Sequence, residues 1–203
     1  MAQKKKALVL LSGGIDSVVS LWWAKKKGWD ISTLNFFFPG QRKKEIWASQ
    51  KSSSYAKTKE NIKIELPFIE SPRAEKACFI PQRNLIFYGI AASIAEQKKM
   101  NFILGGHIEH DAKVFPDAKN SFFNQMNRLI KIGAKKSISP RLIFPLIGMS
   151  KKEVIELGDS LDVPFEHTWS CSHDIKKHCW KCKSCLERLN GFREAKIKDP
   201  LWN

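Results

Sequence analysis

With 203 residues the chain is long enough for one α/β domain with a real core plus a small appendage, and too short for two full domains. Its 43% hydrophobic and 27% charged content is that of a globular protein, and the longest apolar runs fall far short of the roughly 18 residues of a membrane span. Set against 20 Asp and Glu, 35 Lys and Arg leave a net charge of +15, which favours polyanionic partners, whether nucleotide, nucleic acid or acidic protein, and says nothing of fold. Lys4, Lys5 and Lys6 look like the start of a signal peptide, but five apolar residues follow where an export signal needs about 7–15, so a cytoplasmic protein without a membrane is expected.

The first strand is predicted over residues 7–11, apolar on both faces as in a central parallel strand. A Gly-Gly turn follows, and Ile15, Val18, Val19, Leu21 and Trp22 recur at helical spacing, so a helix starts close to Asp16 and Ser17. Unpaired backbone N–H groups and the positive end of the helix dipole gather at that turn, and Gly13 and Gly14 let an anion reach the backbone. The expected ligand is a phosphate. No Lys follows the glycines as a Walker loop requires, and the spacing is not G-x-G-x-x-G.

Further along, the pattern predicts a strand over 31–38 ended by Pro39-Gly40, a polar helix from about 41 to 59 and a strand over 62–66. Residues 67–81 read as a loop, since Pro67, Pro72 and Pro81 forbid a continuous helix. A helix over 84–96, a strand over 102–104, a polar loop over 107–117, a helix over 121–132 and a strand over 142–144 come next. Ser150 and Glu153 form a capping box, so another helix runs from Lys151 to about residue 161. This alternation predicts a parallel sheet with helices on both faces, whose ligands sit beyond the carboxyl ends of the strands.

Cys171, Cys179, Cys182 and Cys185 fall within 15 residues, just before and inside a predicted last helix over 182–192, and such a quartet can close around one tetrahedral metal. Zinc is the first choice and an iron–sulfur cluster the rival, because the last three cysteines share the C-x2-C-x2-C spacing of ferredoxin-type sites. His173 and His178 are read as neighbours of the site and not as ligands. Cys78 is read as a half-buried loop cysteine ahead of a nucleophile.

The run Ser12-Gly13-Gly14-Ile15-Asp16-Ser17 resembles the SGGxDS loop of the ATP pyrophosphatases, which split ATP into AMP and pyrophosphate while adenylating a substrate oxygen. Together with Gly40-Gln41-Arg42, Pro81-Gln82-Arg83-Asn84, the segment from His107 through Phe115-Pro116-Asp117, Pro145-Leu146 and Thr168-Trp169-Ser170-Cys171, the chain resembles the 7-cyano-7-deazaguanine synthase family from about residue 7 to 192. The resemblance implies an α/β ATP pyrophosphatase domain over 1–165 and a helical zinc-binding region over 166–203, in a homodimer. It also implies conversion of 7-carboxy-7-deazaguanine and ammonia, with ATP and Mg²⁺, to the nitrile precursor of queuosine or archaeosine.

On that reading Leu10, Leu11 and residues Ser12 to Ser17 hold ATP, with Asp16 placing Mg²⁺. Gln41, Arg42, Arg83, Asn84, His107 and Glu109 contact the substrate, and Asp16, Ser17, Arg83, Asp111 and Asp117 serve the chemistry; His107 and His110 are also candidate acid–base groups. Several positions depart from the family's usual pattern: Lys43 for His, Gln82 for Gly, Phe115 for Tyr, Ala118 for Cys, and an added Pro39. All lie on the acceptor side. Two other readings therefore share the same ATP loop: transfer of the adenylated acid to another amine, such as one on a protein, and modification of a tRNA base.

Overall fold

The computed structural model describes residues 4–69, 80–135 and 139–202; Cys78, Pro72 and most of the proline-rich loop lie outside the described residues. Five parallel strands, β1 (Lys6–Leu10), β2 (Asp30–Phe37), β3 (Glu60–Glu65), β4 (Phe102–Leu104) and β5 (Arg141–Ile143), form one sheet in the order β3-β2-β1-β4-β5. Alternation along β1 decides the layering. Ala7 and Val9, with Leu11 just past the strand end, enter one core with α1 (Ile15–Lys26), α6 (Lys151–Ser160) and Phe192 of α7 (Lys183–Ala195). Leu8 enters the opposite core with Leu34, Phe36, Tyr88 and Ala91 of α3 (Arg83–Gln97), and Phe123 and Met126 of α5 (Asn120–Gly133). Leu8 is fully buried, so truncation to Ala would cost about 2–5 kcal/mol.

The expected α/β class is present, with helices on both faces. Three local differences have physical reasons. The second helix, α2, covers only Lys43–Tyr55, because Lys57 turns into the left-handed region at φ 55° and leads into β3. Inside the expected loop 107–117 lie a six-residue helix, α4 (Glu109–Val114), and a 3-10 turn (Pro116–Ala118), both too short to leave a periodic signal. A second 3-10 turn, Phe165–His167, was equally invisible. The Ser150 capping box forms as expected, with the Ser150 hydroxyl accepting from the Glu153 N–H at 3.3 Å and the Glu153 carboxylate accepting from the Ser150 N–H at 2.7 Å.

Candidate active site and cysteine cluster

Strand order reverses at β1, whose neighbours β2 and β4 lead away in opposite directions, so the loops beyond their carboxyl ends splay apart and leave a crevice. Its volume is about 380 Å³. The β1 loop supplies Ser12, Gly14, Asp16 and Ser17; the β2 loop and α2 supply Gln41, Arg42 and Glu45. Arg83, Asn84, Phe87 and Tyr88 enter from α3, His107 and Asp111 from the β4 loop and α4, and Trp169, Ser170, Ser172 and Ser184 from the cysteine-rich region.

The β1 loop is built for an anion. Gly14 at the N-cap of α1 has no side chain to cap the first turn, which leaves the amides of that turn without a side-chain partner. Ser17 Oγ donates to the Gly14 carbonyl at 3.0 Å and lies 3.1 Å from Ser12 Oγ, so both hydroxyls crowd the same corner. Gly13 has φ +89°, and a Cβ there would stand 2.6 Å from the Ser49 N of α2; only glycine lets α2 close on the loop. Trp169 N–H donates to the Gly13 carbonyl at 2.9 Å, tying the far end of the chain to this turn.

Asp16 projects into the crevice and is held by Lys151, the first residue of α6, whose Nζ donates to both carboxylate oxygens at 2.6 and 2.7 Å. Arg42 is engaged on two sides: Nε donates to the Ser172 carbonyl at 2.6 Å and Nη1 to Glu45 at 2.9 Å. Burial pushes the Glu45 carboxyl upward against the pull of Arg42. Gln41 Oε1 is buried with no partner among the described residues, an acceptor ready for a ligand N–H.

Among the expected site residues, Leu10, Leu11, Ser12, Gly14, Asp16, Ser17, Gln41, Arg42, Arg83, Asn84, His107 and Asp111 all line this one crevice. Asp111 also accepts the Ile108 N–H at 3.0 Å. The others lie apart from the lining. Gly13 acts through its backbone, Ile15 is buried in the core, and Asp117 accepts the Asn84 N–H at 3.1 Å while its own carbonyl accepts from Asn84 Nδ2. Asp117 therefore anchors the start of α3 beside the crevice. Glu109 pairs with Lys113 at 2.7 Å, and His110 lies 3.5 Å from Glu187 of α7.

Lys151, Glu45, Tyr88, Ser172 and Ser184 were not singled out from sequence. Tyr88 was findable: Arg83, Asn84, Phe87 and Tyr88 stand at i, i+1, i+4 and i+5, one face of a helix. Lys151 sat in plain view inside the capping box.

The Sγ atoms of Cys171, Cys179, Cys182 and Cys185 lie within 4.8 Å of one another, and those of Cys179 and Cys185 are 3.9 Å apart. A tetrahedral ion with metal–sulfur bonds of about 2.3 Å spaces its sulfurs by about 3.8 Å, so the donor set fits one metal ion. Backbone amides turn toward the sulfurs, Ser172 N–H to Cys182 Sγ at 3.4 Å and Cys182 N–H to Cys179 Sγ at 3.3 Å, as suits thiolates. His178 spends Nε2 on the Ser170 N–H at 3.1 Å and stacks against Trp180. Beneath the cluster, fully buried Arg188 donates to both oxygens of Asp199 at 2.6 and 2.8 Å and to Thr168 Oγ1 at 2.7 Å.

The family model described as queuosine biosynthesis protein QueC matches residues 6–75 and 53–196. Proteins named 7-cyano-7-deazaguanine synthase from Sulfurimonas denitrificans and Nitratiruptor sp. are 33% and 35% identical, over 98% and 97% of this chain and 97% of each relative. Among solved structures, an NMN synthetase from Francisella tularensis superposes with a TM-score of 0.54 at 16% identity, covering 97% of this chain and 89% of that one, a likeness of fold alone. The shared fold is a parallel sheet covered by helices on both faces, and among the described residues no helix is long and apolar enough to cross a membrane.

Proposed function

The chain belongs to the QueC family of 7-cyano-7-deazaguanine synthases, and from that premise we propose which of its residues carry each part of the reaction. The enzyme is an ATP-dependent ligase that makes 7-cyano-7-deazaguanine. A carboxylate resists ammonia, so 7-carboxy-7-deazaguanine is first adenylated on oxygen; ammonia displaces AMP to give the amide, and a second adenylation followed by loss of AMP leaves the nitrile. Each activation releases pyrophosphate. The first-turn amides of α1 with Ser12 and Ser17 hold the pyrophosphate, and Lys151 fixes Asp16 beside it. Arg83 neutralises phosphate or carboxylate, and Gln41 Oε1 and Asn84 pair with the heterocycle's edge. Asp111 faces the entering ammonia, and Asp117 acts through Asn84.

Magnesium takes one or two carboxylates and keeps its waters, so Asp16 fits as its protein ligand; the ion would neutralise charge building on the phosphates. Four thiolates at this spacing suit zinc, which would lock residues 168–185 into the crevice wall. A homodimer remains our proposal, supported by exposed Leu129 and Ile132 on α5. So do the cytoplasm as compartment, an acidic protein or nucleic acid as further partner, and the division near residue 165.

The observation that carries this reading is the convergence of Ser12, Asp16, Ser17, Gln41, Arg83 and Asn84 on one crevice. The test is incubation of the protein with ATP and the acid, with and without ammonium, products being identified by mass. Two AMP per nitrile are expected. ADP as the main nucleotide product would overturn the reading, and an amide that accumulates under saturating ATP and ammonium would turn it toward transfer to another amine.

A further inference from the structure

The floor of the crevice holds a polar pair that the reaction scheme leaves unused. Tyr88 is 2% exposed on α3, and its hydroxyl lies 2.9 Å from His107 Nε2. The pair is boxed by aromatic rings: His107 lies 4.9 Å from the Phe123 centroid and 5.4 Å from that of Phe144. Gly105 makes room for it, since a Cβ there would fall 1.8 Å from the Tyr88 hydroxyl. A buried hydroxyl and imidazole at such a cost in packing call for a use.

Which atom donates follows from the surroundings. On the other side of the ring, Nδ1 faces Asp111 Oδ2 at 3.9 Å, too far for a hydrogen bond but near enough for a carboxylate to favour a proton on Nδ1. With Nδ1 protonated, Nε2 is the acceptor and Tyr88 the donor. Burial pushes His107 down to about 4 and the Arg83 guanidinium adds to this, while Asp117 and Asp16 oppose it. Burial also pushes the Tyr88 phenol up, so both groups keep their protons in place at neutral pH. His107 is therefore a poor base.

Resting on the function proposed above, we infer that Tyr88 is a positioning residue that fixes His107 as a hydrogen-bond donor through Nδ1 to an oxygen of the substrate's carboxyl group, in the acid and in its adenylate. As ammonia's lone pair forms the C–N bond, the carbonyl pair moves onto that oxygen; collapse expels AMP with the C–O bonding pair, and the ammonium proton passes to water. A neutral donor aimed at the oxygen strengthens as charge develops there, with no proton to transfer.

Three variants and one spectrum test this. In protein labelled with ¹⁵N-histidine, long-range proton–nitrogen correlation should show His107 protonated on Nδ1 in the wild type and mixed tautomers in Tyr88→Phe, a near-isosteric change whose folding is checked by thermal unfolding. Tyr88→Phe should lower kcat about tenfold with little change in KM. An Asn side chain carries its N–H₂ where Nδ1 stands and Gln where Nε2 stands, so His107→Asn should keep at least tenfold more activity than His107→Gln. The wild-type pH profile should lack any limb near 6.5 that disappears in His107→Asn; such a limb would make His107 an acid–base group and overturn the inference. An Nε2–H tautomer, or a Tyr88→Phe enzyme as active as wild type, would also overturn it. Wild-type protein that forms no AMP from the acid would instead overturn the functional reading, and the tautomer result would still decide the Tyr88–His107 geometry.

Discussion

Asp199→Asn should be among the most damaging conservative substitutions outside the crevice. The side chains of Arg188 and Asp199 are 0% and 2% exposed, joined by two charge-assisted hydrogen bonds. Removing the carboxylate's charge leaves a guanidinium buried without a counter-ion, and breaking a pair of this kind costs about 3–5 kcal/mol. For a chain of this size each kcal/mol moves Tm by roughly 2–4 °C, so a fall of roughly 10 °C is expected in thermal unfolding at fixed zinc concentration. The double variant Arg188→Met/Asp199→Leu removes both charges and fills the space, and should recover most of that loss. Arg188 also holds Thr168, next to the Trp169 whose amide binds the Gly13 carbonyl, so Asp199→Asn should raise KM for ATP below its melting point. A stability change under 1 kcal/mol, or a double variant as unstable as the single one, would refute the reasoning.

Asp16→Ala should abolish AMP formation, a loss of at least about 10²-fold, with the fold intact by circular dichroism; Lys151→Met should lower the magnesium concentration needed for half-maximal activity, because Lys151 Nζ occupies both Asp16 oxygens and competes with the ion. Purified protein should be colourless and carry about one zinc per chain, measured by elemental analysis, and Cys182→Ser should lose the metal and much of its stability together; brown protein would point to iron. His107, pushed down to about 4 from the usual 6.5, contributes stability that is complete above pH 6.5 and lost as pH falls toward 4, at most about 3 kcal/mol. Urea melts across that window should show a shallower acid loss in His107→Asn. Gln82 sits at φ 55°, where a side chain costs about 1–2 kcal/mol, so Gln82→Gly should be neutral or stabilising by up to about 1 kcal/mol in the same melts.

Much of the fold was legible because parallel strands buried on both faces leave unbroken apolar runs, as residues 7–11 do, and because glycines and prolines mark their ends. What was not legible was short or strained. Helix α4 is six residues and has no apolar stripe of its own. Gln82 occupies a left-handed position for which glycine is the natural residue, and nothing in its side chain announces that backbone.

Legibility of the site followed the same division between contiguous and assembled features. The β1 loop and the cysteine quartet are local, each set by neighbours within fifteen residues, so spacing alone exposes them. The contacts that join them are not. Arg42 reads as one cation in a basic run, yet it spans 130 positions to reach Ser172, and Lys151 spans 135 to reach Asp16. Ser172 shows why this matters: its amide faces Cys182 Sγ, its carbonyl accepts from Arg42, and the residue itself lines the crevice. A metal held by the thiolates would thus fix one wall of the crevice, with Ser172 passing its position on to Arg42. Loss of the metal should disturb Arg42 and Glu45 before it disturbs the β1 loop, which keeps its own hydrogen bonds. ATP binding should accordingly outlast substrate binding as metal is withdrawn.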